Sequence, residues 1–194
     1  MNVVTFDISD DNFWGSEIDA VLDSLSNCKA LIVDLRDNGG GHGSAAQTLG
    51  ARFLPGGITV GYNQSRVDAN HADLSAPVPV LSTLSHTPLW TKPVALLTDR
   101  ETMSAAEWVV MAARLLPNMT NIGDTTQGAF SSRLDRELSN SWTYSLSFLR
   151  GTDANHVCHE GIRLVPDIEV YVRENRQVDS PDTVLDRAIQ FLTK

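Results

Sequence analysis

The segment from Pro93 to Leu116 changes hydrophobic period halfway along, and this limits the folds open to the chain more than any other feature. Pro93-Val-Ala-Leu-Leu-Thr98 is an unbroken apolar run, the pattern of a short buried strand. Past residue 104 the apolar residues Val109, Val110, Ala113 and Leu116 recur at helical spacing. A strand passing into a helix places Ser104 at the turn between them, beside the helix N-terminus. Two readings of that serine stay open. It can cap the helix, with Glu107 completing a Ser-x-x-Glu capping box. It can equally be a nucleophile, since free N–H groups and the positive end of a helix favour an anion developing there.

Upstream the pattern repeats. Asn2 to Ile8 reads as a strand, and Trp14, Ile18, Val21, Leu22 and Leu25 form a helical face ending near Asn27. Ala30-Leu-Ile-Val-Asp34 reads as a buried strand. Strand, helix and strand in succession imply a right-handed crossover and a parallel pair. The second strand runs into Asp34-Leu-Arg-Asp-Asn-Gly-Gly-Gly-His-Gly43, whose consecutive glycines permit backbone conformations closed to other residues. Loops beyond the carboxyl ends of strands are where open α/β sheets place their sites. A tight strand-to-helix turn explains the glycines equally well. A phosphate loop does not, because neither Gly-Lys-Ser/Thr nor Gly-x-Gly-x-x-Gly is present. Ala45, Leu49 and Phe53 mark the next helix.

The remainder is less regular. Gly56 to Lys92 reads as a long excursion with one strand, crossing the active face. Asn118 to Gly123 fits a strand, and Arg133 to Phe148 a hairpin turning near Ser139-Asn-Ser141. His156 to Gly161 reads as a polar loop and Pro166 to Val170 as a strand start. Ser180-Pro-Asp-Thr opens a final helix with Ser180 as its cap. At 194 residues this suits one domain. A formal net charge of −9 argues against nucleic acid or an anionic membrane surface as partner. No apolar run is long enough to span a bilayer. Cys28 and Cys158 have no metal-ligand spacing and read as two buried thiols.

Four blocks, in order, resemble the S41 peptidases, the tail-specific or C-terminal-processing family. They are Leu31-Ile-Val-Asp-Leu-Arg-Asp-Asn-Gly-Gly-Gly41, Val94-Ala-Leu-Leu-Thr-Asp-Arg-Glu-Thr-Met-Ser-Ala-Ala-Glu107, Gly123-Asp-Thr-Thr-Gln-Gly128 and Glu160-Gly-Ile-Arg-Leu-Val-Pro-Asp-Ile-Glu-Val170. The resemblance implies a ClpP/crotonase-like α/β fold of stacked ββα units with a mostly parallel core sheet, residues 1–194 forming one catalytic domain. It implies a serine peptidase acting on peptides or the C-terminal regions of proteins. Ser104 would be the nucleophile, and Gly40 or Gly41 with Ala105 would supply the oxyanion hole. No metal or cofactor is implied, and a secreted or periplasmic location is favoured.

The general base departs from one branch of the family. Where the Ser–Lys enzymes carry lysine after the Thr-x-Gly turn, this chain has Ala129, and no lysine lies between Lys92 and Lys194. The resemblance is instead to the tricorn core and interphotoreceptor retinoid-binding protein branch. There a histidine from an upstream segment is oriented by a glutamate, whose place Glu160 fills. The chain is thus expected to be the C-terminal catalytic portion of a longer protein, with the base supplied from an upstream segment; an upstream domain or a homo-oligomer is the expected partner beside the substrate. His42 and His159 lie near the site blocks but read as loop histidines, as do His71, His86 and His156. The alternative is a non-catalytic module on the same fold, binding an apolar ligand or a peptide. An acyl-CoA enzyme of the crotonase type is the remote third, since the negative charge suits a polyanionic substrate poorly.

Overall fold

In the computed structural model, which describes residues 1–7, 11–70, 72–171 and 181–194, the chain forms an α/β fold around a four-stranded parallel sheet. Its strands are β1 (Leu31–Asp34), β4 (Val94–Thr98), β5 (Met119–Gly123) and β9 (Ile168–Glu169), side by side in that order. Helices α1 (Asp11–Ser24), α2 (Gly43–Gly50) and α3 (Ala105–Ala113) share one core with Leu31, Val33, Val94, Leu96 and Met119. Helix α4 (Thr183–Leu192) forms a second core, packing Val184 and Ala188 against Ala95, Leu97 and Ile122. Successive residues of β4 therefore serve opposite faces, and all five are buried. A strand covered on both sides reads as a nearly continuous apolar run, which is why its sequence does not alternate. Thr98, at its end, is buried with its hydroxyl donating to Asn121 and Asp124.

A second sheet, antiparallel, joins β3 (Val78–Leu81), β2 (Thr59–Ser65) and β8 (Leu149–Asp153) in that order. It corrects the expectation of a single strand between Gly56 and Lys92. Pro79 stands in the outer strand β3, where a missing N–H costs no ladder bond. The expected hairpin is present as β6 (Arg133–Glu137) and β7 (Thr143–Ser147), with Leu134 opposite Leu146 and Arg136 opposite Tyr144.

Other expectations change in detail. Asn2 to Phe6 does not form a regular strand; it touches the β1 side at two isolated parallel bridges, Asn2 with Asp34 and Phe6 with Gly41. The cause is Asn38, whose buried side chain donates to the Val3 carbonyl at 2.7 Å and so occupies the ladder between the bridges. Ile8, His71 and Ser180 lie outside the described residues. The cap of α4 is Asp182, whose carboxylate accepts the Leu185 N–H at 3.1 Å. Val21 is 37% exposed and so stands off the core face of α1. The cysteines are free, with Cys28 exposed and Cys158 half-buried, because both lie in irregular loops outside the two cores.

Candidate active site

Three loops at the carboxyl ends of β1, β4 and β5 meet around Ser104. The β4 loop is built on Asp99, whose Oδ1 accepts the backbone N–H groups of Glu101 and Thr102 and closes a tight turn. The same carboxylate accepts the Asp37 N–H at 3.1 Å, binding this loop to the one after β1. Asn38 adds a second tie, since its carbonyl accepts the N–H of Met103, the residue before the serine.

Ser104 itself has φ 53° and ψ −121°, a conformation that a side chain makes costly. It stands as the first cap of α3 and in a capping-box arrangement with Glu107, yet its hydroxyl makes no hydrogen bond to the helix. The Glu107 N–H goes instead to the Ser104 carbonyl at 3.0 Å. The hydroxyl thus faces the Glu107 N–H in the capping box without closing a cap hydrogen bond.

Glu107 does more than complete a cap. It is fully buried, and its two carboxylate oxygens accept from three backbone groups: Ser104 at 3.1 Å, Gly128 at 2.8 Å and Ala129 at 2.9 Å. The Ser104 N–H is shared with the Ala129 carbonyl at 3.0 Å. This carboxylate fastens the serine turn to the loop after β5. Burial pushes its pKa up, and the hydrogen bonds from Thr126, Gly128, Ala129 and Ser104 only partly oppose that. A carboxyl raised in the fold contributes stability below the ordinary glutamate range that is lost as pH rises through its folded value. The non-titrating Glu107→Gln variant should therefore be at its largest disadvantage, relative to wild type, in acid. The gap should narrow as pH rises, a trend that thermal melts of both proteins across the acid range would show. Parallel curves would contradict it.

The glycine loop reaches the serine from the other side. A methyl group on Gly40 would stand 2.7 Å from Ser104 Cβ and 3.0 Å from the Ala105 nitrogen. The Gly40 N–H is engaged, donating to Asn38 Oδ1 at 2.9 Å. Gly41 differs. Phe6 exchanges its bonds with the flanking Gly40 carbonyl and His42 N–H. In a parallel bridge the facing residue then turns its own N–H to the opposite side, here the side of β4 and Ser104. Neither the Gly41 nor the Ala105 N–H has a hydrogen-bond partner among the described residues.

Glu160 comes to the same region from the 159–163 loop, where the Gly161 N–H donates to the Gly128 carbonyl. Its Oε2 accepts from Phe130 at 2.8 Å and Ser131 at 3.0 Å, next along the chain from Ala129. Oε1 has no partner among the described residues. Of the histidines, His159 also comes near this region, its ring 6.0 Å from that of Phe130. His159 is 2.9 Å from Asp153, His42 lies against Asp7 at 3.6 Å and His156 stacks on Tyr62 at 4.1 Å. Burial pushes the Asp153 carboxyl up, but the bonds from His159, Val157 and Asn155 outweigh it and hold the group low. Asn38 and the wider role of Glu107 are the positioning residues that sequence reasoning missed. Asn38 had one signal, a polar residue opening a glycine run directly after a buried strand.

The sequence matches the profile of peptidase family S41 over residues 5–170. No curated protein matches it. Among solved structures it is similar to a Parabacteroides merdae protein whose peptidase assignment is itself provisional, at 31% identity and a TM-score of 0.87 over 100% of this chain. It spans 60% of that protein's chain. It also resembles the photosystem II D1 C-terminal processing protease, with TM-score 0.65 and 19% identity, over 87% of this chain and 41% of that one. The third is mature CPAF complexed with lactacystin, with TM-score 0.75 and 15% identity, over 87% and 46%. At those two identities the likeness is one of fold.

Proposed function

The chain belongs to peptidase family S41, and from that premise we propose that it is the catalytic domain of a serine peptidase acting on peptides or the C-terminal regions of proteins. The observation that carries the reading is the backbone of Ser104, held at positive φ with an uncommitted hydroxyl and with Gly40 pressed against it. Strain of this kind persists only where the surroundings enforce it. Here Glu107, Ala129, Asn38 and Asp99 do so.

In the proposed reaction the Ser104 oxygen attacks a peptide carbonyl and gives its proton to a general base. The carbonyl oxygen becomes an oxyanion held by the N–H groups of Gly41 and Ala105. Gly40 serves by allowing close approach rather than by donating. Backbone donors fixed in advance stabilise the tetrahedral intermediate without reorganising at the moment of reaction. Collapse expels the amine, which takes the proton back from the base, and water then releases the acyl group by the same route. The base is supplied from outside this stretch of chain, and the free Oε1 of Glu160 is where it would be oriented.

A fluorophosphonate probe tests this directly. Incubated with the full natural protein, it should form a covalent adduct that mass spectrometry places on Ser104. A folded protein that stays unlabelled while it binds peptides or apolar ligands would return the chain to the binding-module reading.

A further inference from the structure

A second feature lies one helical turn from the serine. A cavity of about 170 Å³ opens between α2, α3 and the antiparallel sheet. Its floor is made of the buried side chains Ala46, Leu54, Val60, Val109 and Ala112, and Trp108 forms a wall. Polar residues, among them Gln47 and Ser132, are more exposed and stand at the rim. No ionisable side chain lines it among the described residues.

Two relations tie this cavity to the reacting centre. Trp108 follows Ser104 by four residues, so it stands on the same face of α3 about 6 Å further along the axis. Its N–H donates to the Ser104 carbonyl at 3.3 Å. Gly43, at the mouth, is two residues beyond Gly41, so the loop offering an oxyanion donor continues directly into the cavity wall. The position of Trp108 is itself fixed. Its ring lies against Gly61 of β2 and Gly151 of β8, where added methyl groups would come within 3.1 Å and 3.2 Å of it. Those glycines are diagonal neighbours across the two strands, since Gly61 pairs with Asp153 and Asn63 with Gly151. At Gly61 an added methyl would meet the Thr152 carbonyl first, at 2.1 Å, so that glycine answers to the neighbouring strand; at Gly151 the indole is the nearest contact.

We infer that this cavity is the specificity pocket, receiving the side chain of the residue whose carbonyl Ser104 attacks, and that it selects uncharged apolar side chains of leucine, methionine or phenylalanine size. The inference rests on the peptidase reading and names its substrate class. The volume decides the size, because a dry cavity of about 150 Å³ is enough to hold benzene. The lining decides the charge, since an ionised side chain entering it would lose its water and find no counter-ion. Alanine would leave much of the space empty.

Acetylated tripeptide acids ending in Leu, Ala or Asp test it without turnover, because they mimic the acyl product and their carboxylate fixes the register. Titrated calorimetrically into the full natural protein carrying Ser104→Ala, the leucine peptide should bind at least about tenfold more tightly than the alanine peptide, with the aspartate peptide weakest. Ala112→Leu fills the floor and should abolish the leucine advantage. Ala46→Leu fills it from α2 and serves if the first variant does not fold. Equal affinities, no binding, or a leucine preference that survives both fillings would overturn the pocket. Fluorophosphonate labelling of the unsubstituted protein separates the two ideas. Ser104 labelled with no leucine preference removes only the pocket. Leucine preference without labelling removes only the nucleophile.

Discussion

Ser104→Ala should lower kcat/KM on any peptide the protein hydrolyses by roughly a thousandfold or more, with little change in KM. The loss would fall on kcat because in the proposed reaction the serine oxygen forms a bond in the transition state and contributes little to ground-state binding. The same substitution should leave stability almost unchanged, since the hydroxyl makes no hydrogen bond to the helix it begins. Ser104→Gly sharpens the contrast. At φ 53° a glycine is relaxed where serine is not, so the variant should be inactive yet more stable, by about 1 kcal/mol. Steady-state kinetics and chemical denaturation of the three proteins provide the check. A Ser104→Ala enzyme of near-normal kcat would remove the serine from the reaction, whatever its backbone looks like.

Gly41→Ala should be the most damaging single methyl in the glycine run, costing about 3 kcal/mol and lowering the melting temperature by roughly 6–12 °C. The new carbon would overlap the backbone of Phe6 and Asp7, which cannot swing aside as a flexible side chain could. At φ 138° the residue also occupies a region that side chains rarely tolerate. Any protein that still folds should lose activity too, because the bridge to Phe6 is what aims the Gly41 N–H. Gly39→Ala is the internal control. Nothing lies within 4 Å of its added carbon, so its stability should stay within about 0.5 kcal/mol of wild type. If both substitutions proved equally mild, the close approach of the loop to the N-terminal segment would be refuted.

That contrast marks how far the sequence could be read. Three consecutive glycines announce an unusual backbone but look alike; which of them needs its freedom depends on Phe6 and Ser104, distant in sequence and met only in the fold. The parallel core was legible because β4 is buried on both faces and Val94 to Leu97 form an unbroken apolar run. The antiparallel sheet was not. Its strands carry Pro79, Gly61 and Gly151, residues that ordinarily argue against strands; Gly61 yields to the Thr152 backbone beside it and Gly151 to the Trp108 ring, neither of them a local neighbour. Glu107 was legible as half of a local capping pair. Its bonds to Gly128 and Ala129 span about twenty residues and had no local signature. The N-terminal strand failed in register for a similar reason, because Asn38 places an amide where the ladder would run.

The two bridges of that N-terminal segment have a mechanical consequence. Its final bonds, from the Phe6 N–H to the Gly40 carbonyl and from the His42 N–H to the Phe6 carbonyl, sit on either side of Gly41. Tension drawn along residues 1–6 would be shared between these bonds and those that Met1 and Val3 make with Ile32, Asp34 and Asn38. Val3 and Phe6 are also part of the main core, so a load on this hem of the sheet would disturb that core together with the peptide facing the serine. The position of Phe6 and the orientation of the Gly41 peptide are therefore coupled, and a change in one would be felt in the other.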